Sequence, residues 1–405
     1  MGQGVLAPPP AEFAQTPSTL PMMGANFPAT NQFQTIQTNT STTLALPVEH
    51  WLDWGPLHFD PHPFYRFMYG NGIQAQPGQQ SKTILNQFAP GLLMGWGNHW
   101  TLDFTPTLSF YSSRAFRDTT DYAVRLNGAT TYQDWTFGLS QSYVSSSYPL
   151  VETASQNDTE TYSTALNAAY QMSTKASLEL AASQNFLFVS QALPGQQLSN
   201  SRIWSTMDWL NYQFWPKFGA AIGAGFGYDD VSVGSDLTFE QIQGRINWRV
   251  GEKLSLTANA GFQDTQFLNS SQPASLNPVF GLTLLYRLFE PTTLSLTAYE
   301  TVSPSYFQNQ ITHATGFSAG ISQRLLKKLS LNVSGGYSTT SYLGTATGVN
   351  TQSAYDLSFA TVGLTAPFLK RGSASVFYYW SDNSSGQPGF GYTSRQVGFE
   401  LGYRF

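Results

Sequence analysis

From Pro63 to Phe405 the chain alternates apolar and polar residues at a period of two, and this narrows its folds more than any other feature. The last stretch shows it best. Val397, Phe399, Leu401, Tyr403 and Phe405 share one side; Gln396, Gly398, Glu400, Gly402 and Arg404 share the other. Successive side chains of a strand point to opposite faces, so such a segment makes a strand with one apolar and one polar face. The same reading holds for Trp100, Leu102, Phe104, Leu108 and Phe110 against Thr101, Asp103, Thr105, Thr107 and Ser109. It holds again for Ile242, Ile246, Trp248 and Val250 against Gln241, Gln243, Arg245, Asn247 and Arg249.

The connections alternate as well. Short turns, often with Lys, fall at Ser173-Thr174-Lys175, Trp215-Pro216-Lys217, Gly251-Glu252-Lys253, Phe289-Glu290-Pro291, Lys327-Lys328 and Lys370-Arg371. Between them lie longer polar segments such as Ser145 to Thr161, Ser190 to Arg202, Thr340 to Gln352 and Asp382 to Gly391. A soluble sandwich has no reason to make every second connection long. Outer-membrane barrels do so, with short periplasmic turns and longer outer loops.

Composition supports a barrel. Charged residues are 11% of the chain, against about 25% in soluble domains. The hydrophobic share is 41%, below the soluble average of about 45–50%. The chain lacks charge without being greasy, and it contains no apolar run long enough for a membrane helix. Aromatics reach 15%. Trp100, Trp135, Tyr170, Trp215, Trp248, Tyr286, Phe289, Phe368 and Tyr403 sit beside the short turns, as a periplasmic aromatic girdle requires. Cysteine is absent, which excludes disulfides and thiolate metal sites. A net charge of −5 carries no nucleic-acid footprint.

The expected fold is all-β: a transmembrane antiparallel β-barrel of about 18 strands preceded by a poorly regular tail. Residues 1–60 read as the tail or a plug, with Pro8-Pro9-Pro10 and a Thr-, Gln- and Asn-rich stretch from Asn26 to Thr43. Residues 61–405 read as the barrel, its first strand near Phe64 to Gly70. Met1 to Pro10 has no basic n-region and no apolar h-region; because a barrel must be secreted, the chain reads as a mature or recombinant form.

A hairpin motif recurs. Trp248-Arg249-Val250-Gly251-Glu252-Lys253-Leu254-Ser255-Leu256 returns in outline at Tyr286-Arg287 to Leu294-Ser295-Leu296, and again from Gln323-Arg324 to Leu329-Ser330-Leu331. With the terminal Tyr403-Arg404-Phe405, this resembles the outer-membrane porins. More narrowly it resembles a group of β-barrel porins, some of which accompany exopolysaccharide gene clusters. The resemblance covers roughly Phe64 to Phe405. It implies that Tyr403 and Phe405 form a signal read by the barrel assembly machinery. It carries over no site residues.

Four other motifs stand out in the sequence. Gly316-Phe317-Ser318-Ala319-Gly320 matches G-x-S-x-G, but a hydrolase elbow needs a strand, a sharp turn and a helix, and here the alternation runs on to Arg324. Gly223, Gly225 and Gly227 alternate with Ala224 and Phe226, which suggests a strand with one bare face. His58-Phe59-Asp60-Pro61-His62 has metal-ligand spacing, but no further ligand cluster accompanies it in the sequence, so the expected role is an interfacial aromatic-His segment. Glu152, Asp158, Glu160, Asp229, Asp230, Asp236 and Asp382 gather in the expected outer loops; solvated loop charge is the preferred reading over divalent bridges to lipopolysaccharide.

The polar face is the candidate site. Its expected lumen-lining charges are Asp103, Arg125, Glu179, Asp208, Arg245, Arg249, Arg287, Arg324, Glu400 and Arg404. Both signs are diluted among hydroxyls and amides, which suits water and neutral polar solutes better than a single-sign ion filter. The expected function is a porin-like channel for passive diffusion of small polar solutes across the bacterial outer membrane. The alternatives are a polysaccharide export channel and a plugged structural barrel. No enzyme chemistry, cofactor or nucleic-acid partner is expected. Outer-membrane lipid and lipopolysaccharide are expected around the apolar face. Lipid-facing and subunit-facing strands look alike at this level, so a homo-oligomer stays open.

Overall fold

The computed structural model describes residues 50–97, 99–190, 198–326, 328–349, 351–369 and 371–405. Most of the expected tail therefore lies outside the described residues. The main sheet has nineteen strands; one is the three-residue Leu52–Trp54, and the other eighteen close into an antiparallel barrel.

In chain order these are β1 (Leu57–Gln76), β2 (Gln79–Trp96), β3 (Trp100–Tyr111), β4 (Thr119–Tyr132), β5 (Trp135–Ser146), β6 (Thr159–Gln171), β7 (Ala176–Val189), β8 (Ser201–Trp215) and β9 (Phe218–Val231). The second half comprises β10 (Leu237–Val250), β11 (Leu254–Phe267), β12 (Ser275–Phe289), β13 (Thr292–Pro304), β14 (Gln310–Leu325), β15 (Leu329–Gly344), β16 (Tyr355–Phe368), β17 (Gly372–Ser385) and β18 (Tyr392–Tyr403). Each strand pairs with its sequence neighbours, and β1 pairs with β18 to close the ring, from Phe64 opposite Gly402 to Asn71 opposite Arg395. A 14-residue strand such as β9 is about 46 Å long and, tilted, still rises about 35 Å, enough to cross an apolar band of roughly 25 Å.

The first barrel strand starts at Leu57 rather than near Phe64. It carries a bulge between Gly70 and Ile73. Gly72 sits there at φ +78°, and a Cβ would run into the Thr393 carbonyl of β18, so only glycine fits.

The register sorts the side chains. Phe104, Leu166, Leu210, Ile222, Ile242, Phe262, Phe317, Val376 and Val397 stand exposed on the outer face. In a lipid solvent this face is the covered one, and a closed barrel leaves no strand edge unpaired. The protein's own buried core lies inside the outer half of the ring. There Met68, Ile73, Ala75, Leu85, Phe116, Tyr148 and Phe377 pack together. A second cluster of Leu237, Phe267 and Ile311 lies on the opposite wall.

Candidate functional site

The inner wall begins at the seam. Arg66 of β1 and Glu400 of β18 are Cα partners and form an ion pair, with Nε 2.7 Å from Oε1. Arg66 is 2% exposed, and Ser375 of β17 donates to the second carboxylate oxygen at 3.1 Å. Two strands further on, the His62 Nε2 atom lies 3.0 Å from Asp103 of β3, and Thr105 donates to Asp103 at 2.7 Å. Arg125 of β4 is the Cα partner of Asp103 on the same face.

On the opposite side, Arg245 of β10 reaches across β9 to β7 and β8. It donates to Glu179 at 2.8 Å and to Asn211 at 2.5 Å, and its guanidinium lies 4.4 Å over the Trp209 ring. The β9 residue opposite Arg245 is the small Ala221, and the glycines that follow it make room for the neighbouring side chains. A Cβ at Gly223 or Gly225 would strike Trp209 or Met207, and one at Gly227 would strike the ring of Phe239. The bare strand thus accommodates large side chains from its two neighbours. Beyond it runs an amide ladder: Asn259 donates to Gln243, Gln243 to Gln241, Gln241 to Gln263 and Gln263 to Thr265, at 2.6–3.1 Å.

Arg249, Arg287, Arg324 and Arg404 occupy one recurring position, at the short-turn end of the inner face of β10, β12 and β14 and just past the end of β18. Their amides bond to the carbonyls of Lys217, Lys253, Pro291 and Arg371, each in the turn before the neighbouring strand, at 2.7–3.0 Å. Together with Lys175, Lys217 and Lys253 they place positive charge around this mouth.

Asp208 departs from expectation. Met207 and Trp209 of β8 are buried inside, so Asp208, between them, points outward. It lies four residues from Trp204 and four from Tyr212, midway along the apolar belt. There its Oδ1 accepts the Ala181 amide at 3.2 Å, at a point where the β7–β8 ladder skips Leu180 and Ala181. Ser318 sits in β14 with Thr297 and Gly336 as partners, so G-x-S-x-G is plain strand here. At the terminus the Tyr403 and Phe405 rings are 4.9 Å apart, and the Phe405 amide donates to the Pro61 carbonyl at 3.0 Å.

The outer half of the lumen is occupied by loops. The segment between β5 and β6 folds into the barrel as a small hairpin, Pro149–Leu150 against Ser155–Gln156, and packs on β1. Ser147 donates to Asp121 at 2.8 Å and Gln156 to the Ser147 carbonyl at 2.9 Å, fixing its base. Its tip crosses to the far wall. There the Glu152 Oε1 atom accepts the Ser305 hydroxyl at 2.5 Å and the Tyr306 amide at 3.1 Å, both between β13 and β14. Burial pushes the Glu152 carboxyl up to about 7, against the lowering effect of those two donors. Burial and the nearby carboxylate both raise the Tyr306 phenol.

Other loops join this lid. The Ser199 amide bonds to the Tyr306 carbonyl at 2.8 Å, the Thr345 amide to the Asn309 carbonyl at 2.8 Å, and the Gly78 amide to the Gly389 carbonyl at 2.6 Å. Inner-face side chains are accordingly buried in the half that holds the loops and open toward the short-turn end, where Gln213, Arg249 and Arg287 are exposed. Of the acidic residues expected in outer loops, Glu160, Asp229, Asp230 and Asp382 lie on strands. Asp229 is buried with Ser201 at 2.6 Å, and Asp230 pairs with Arg202 at 3.2 Å.

The molecule is thus a transmembrane-type β-barrel with a polar interior narrowed by its own loops. No family model and no curated protein matches the chain. Solved structures resemble it over 86% of its length. OccK2 (OpdF) of Pseudomonas aeruginosa is 10% identical, with 98% of that chain covered and a TM-score of 0.49. OccAB2 of Acinetobacter baumannii is also 10% identical over 98% of its length, at 0.48. A loop L8 deletion mutant of OmpT, an outer membrane protein of Vibrio cholerae, is 9% identical over 99%, at 0.40.

Proposed function

We propose that this chain is an outer-membrane, porin-like channel for passive diffusion of small polar solutes, restricted in its outer half by inward-folded loops. One observation carries the reading. Beyond the apolar clusters packed in the outer half, the inner wall is lined by hydroxyls, amides and internally compensated charges, and its polar side chains become exposed toward the short-turn end. Such a wall replaces part of a solute's hydration without binding it tightly, which conduction requires. The Arg249, Arg287 and Arg324 side chains at the mouth give anions the easier approach.

A second reading, a barrel that does not conduct, is favoured by the hydrogen bonds between the loops. Single-channel recording in planar bilayers separates the two. The full chain should give small, steady steps. A variant in which 148–157 is replaced by a short Gly-Ser linker should give steps several times larger. Folded protein that inserts silently in both forms rejects the channel.

A further inference from the structure

The chain has five histidines, and the fold regroups the three nearest the start of the barrel. Sequence spacing sets His58 beside Asp60 and His62. In the structure His62 turns away to Asp103. His58 instead faces Asp53, its Cα partner across the hairpin that folds Leu52–Trp54 back on β1 at Gly55. Its Nδ1 atom lies 2.6 Å from the Asp53 Oδ1 atom. The His50 ring stacks on His58, with centroids 4.3 Å apart and planes inclined by 27°. Donor atoms of His50, Asp53 and His58 all lie within 4.8 Å of one another.

The surroundings favour a ligand rather than a plain salt bridge. Asp60 is fully buried beneath the hairpin. Its two oxygens take the His50 Nδ1 atom at 3.0 Å and the Trp51 amide at 3.1 Å. A carboxylate at Nδ1 fixes the imidazole as the Nδ1–H tautomer and leaves the Nε2 lone pair directed away from it. That is the outer-shell arrangement that orients and strengthens metal-ligating histidines. Asp53 is 61% exposed, so an ion can reach the group from the periplasmic side.

We infer that His50, Asp53 and His58 form a site for one divalent transition-metal ion with the coordination chemistry of zinc. The His50 Nε2 atom, a His58 ring nitrogen and the Asp53 carboxylate supply three ligands, and water completes the shell. Two imidazoles select against calcium and magnesium. A metal ion competes with protons for imidazole nitrogens and carboxylates, so affinity falls as the pH is lowered. The ion would tie the arm at 50–54 to β1 beyond the last bond from β18.

The test is calorimetric titration of the full, tag-free, refolded chain with Zn²⁺ at pH 7.5, folding being checked by circular dichroism. One ion per barrel is expected, with weaker binding at pH 5.5 and none of Mg²⁺. H50A or H58A should lower affinity more than a hundredfold, and Asp60→Asn roughly ten- to a hundredfold, while His62→Ala leaves it unchanged. Folded protein that takes up no zinc overturns the proposal. So does stoichiometric binding that survives in the H50A/H58A double variant or disappears in His62→Ala.

Discussion

Two carboxylates on opposite faces of the wall should respond to substitution in opposite ways. Glu400 neutralises an Arg66 that is 2% exposed. Glu400→Ala strands that guanidinium and should cost about 3–5 kcal/mol, whereas Glu400→Gln keeps an acceptor and should cost less. Denaturant unfolding in lipid vesicles compares them. Asp208 faces outward in the middle of the apolar belt. Asp208→Asn keeps an acceptor for the Ala181 amide while removing the charge, and should stabilise the barrel by about 1 kcal/mol in the same assay. Alternation put Glu400 and Asp208 on one expected face, and the structure turns Asp208 outward for a physical reason. β8 carries large apolar residues on both faces, Ile203, Met207 and Trp209 inside and Trp204, Leu210 and Tyr212 outside. Met207 and Trp209 fit inside because Gly225 and Gly223 of β9 give them space, a relation between strands that no single-strand pattern contains.

Among the elements, the loop between β5 and β6 has the clearest pH signature. Burial holds the Glu152 carboxyl up at about 7 when docked, above the ordinary carboxylate value of 4.5 it regains when released. The docked form therefore holds its proton more tightly. Docking is strongest below about 4.5, weakens as pH rises toward 7, and levels off above it. Conductance should rise between pH 5 and pH 8, and Glu152→Gln should flatten that rise, as read in bilayers at both pH values. The sequence displayed this segment's length and its polar ends. It did not display its direction, because the docking partners Ser305 and Tyr306 lie more than 150 residues away. The strand and turn pattern was legible because alternation and turn residues are local; the lid was not, because loop-to-loop contacts are the longest-range ones. The hairpin at Leu52–Trp54 was missed similarly: Asp53 and His50 join His58 only once the chain turns at Gly55.

For the whole molecule, the arginines at the short-turn end of the barrel form a pattern that spans several hairpins. Their recurrence at Arg249, Arg287 and Arg324 follows from one hairpin motif repeated around the ring. Replacing these three with Gln should reduce anion over cation permeability by roughly twofold, measured as a shift of reversal potential in a salt gradient. The seam carries a different consequence, in time. Every barrel pair except one is joined by a direct connection and can zip early. β1 and β18 must find each other across 334 residues, the costliest loop closure in the fold. Refolding should therefore show fast strand formation followed by a slow closing phase, and Glu400→Ala should slow the second phase most. Until that phase completes, the curled sheet exposes two complementary edges. At high concentration the edges of two chains can pair in place of their own, giving exchanged dimers whose yield tracks the lifetime of the open ribbon.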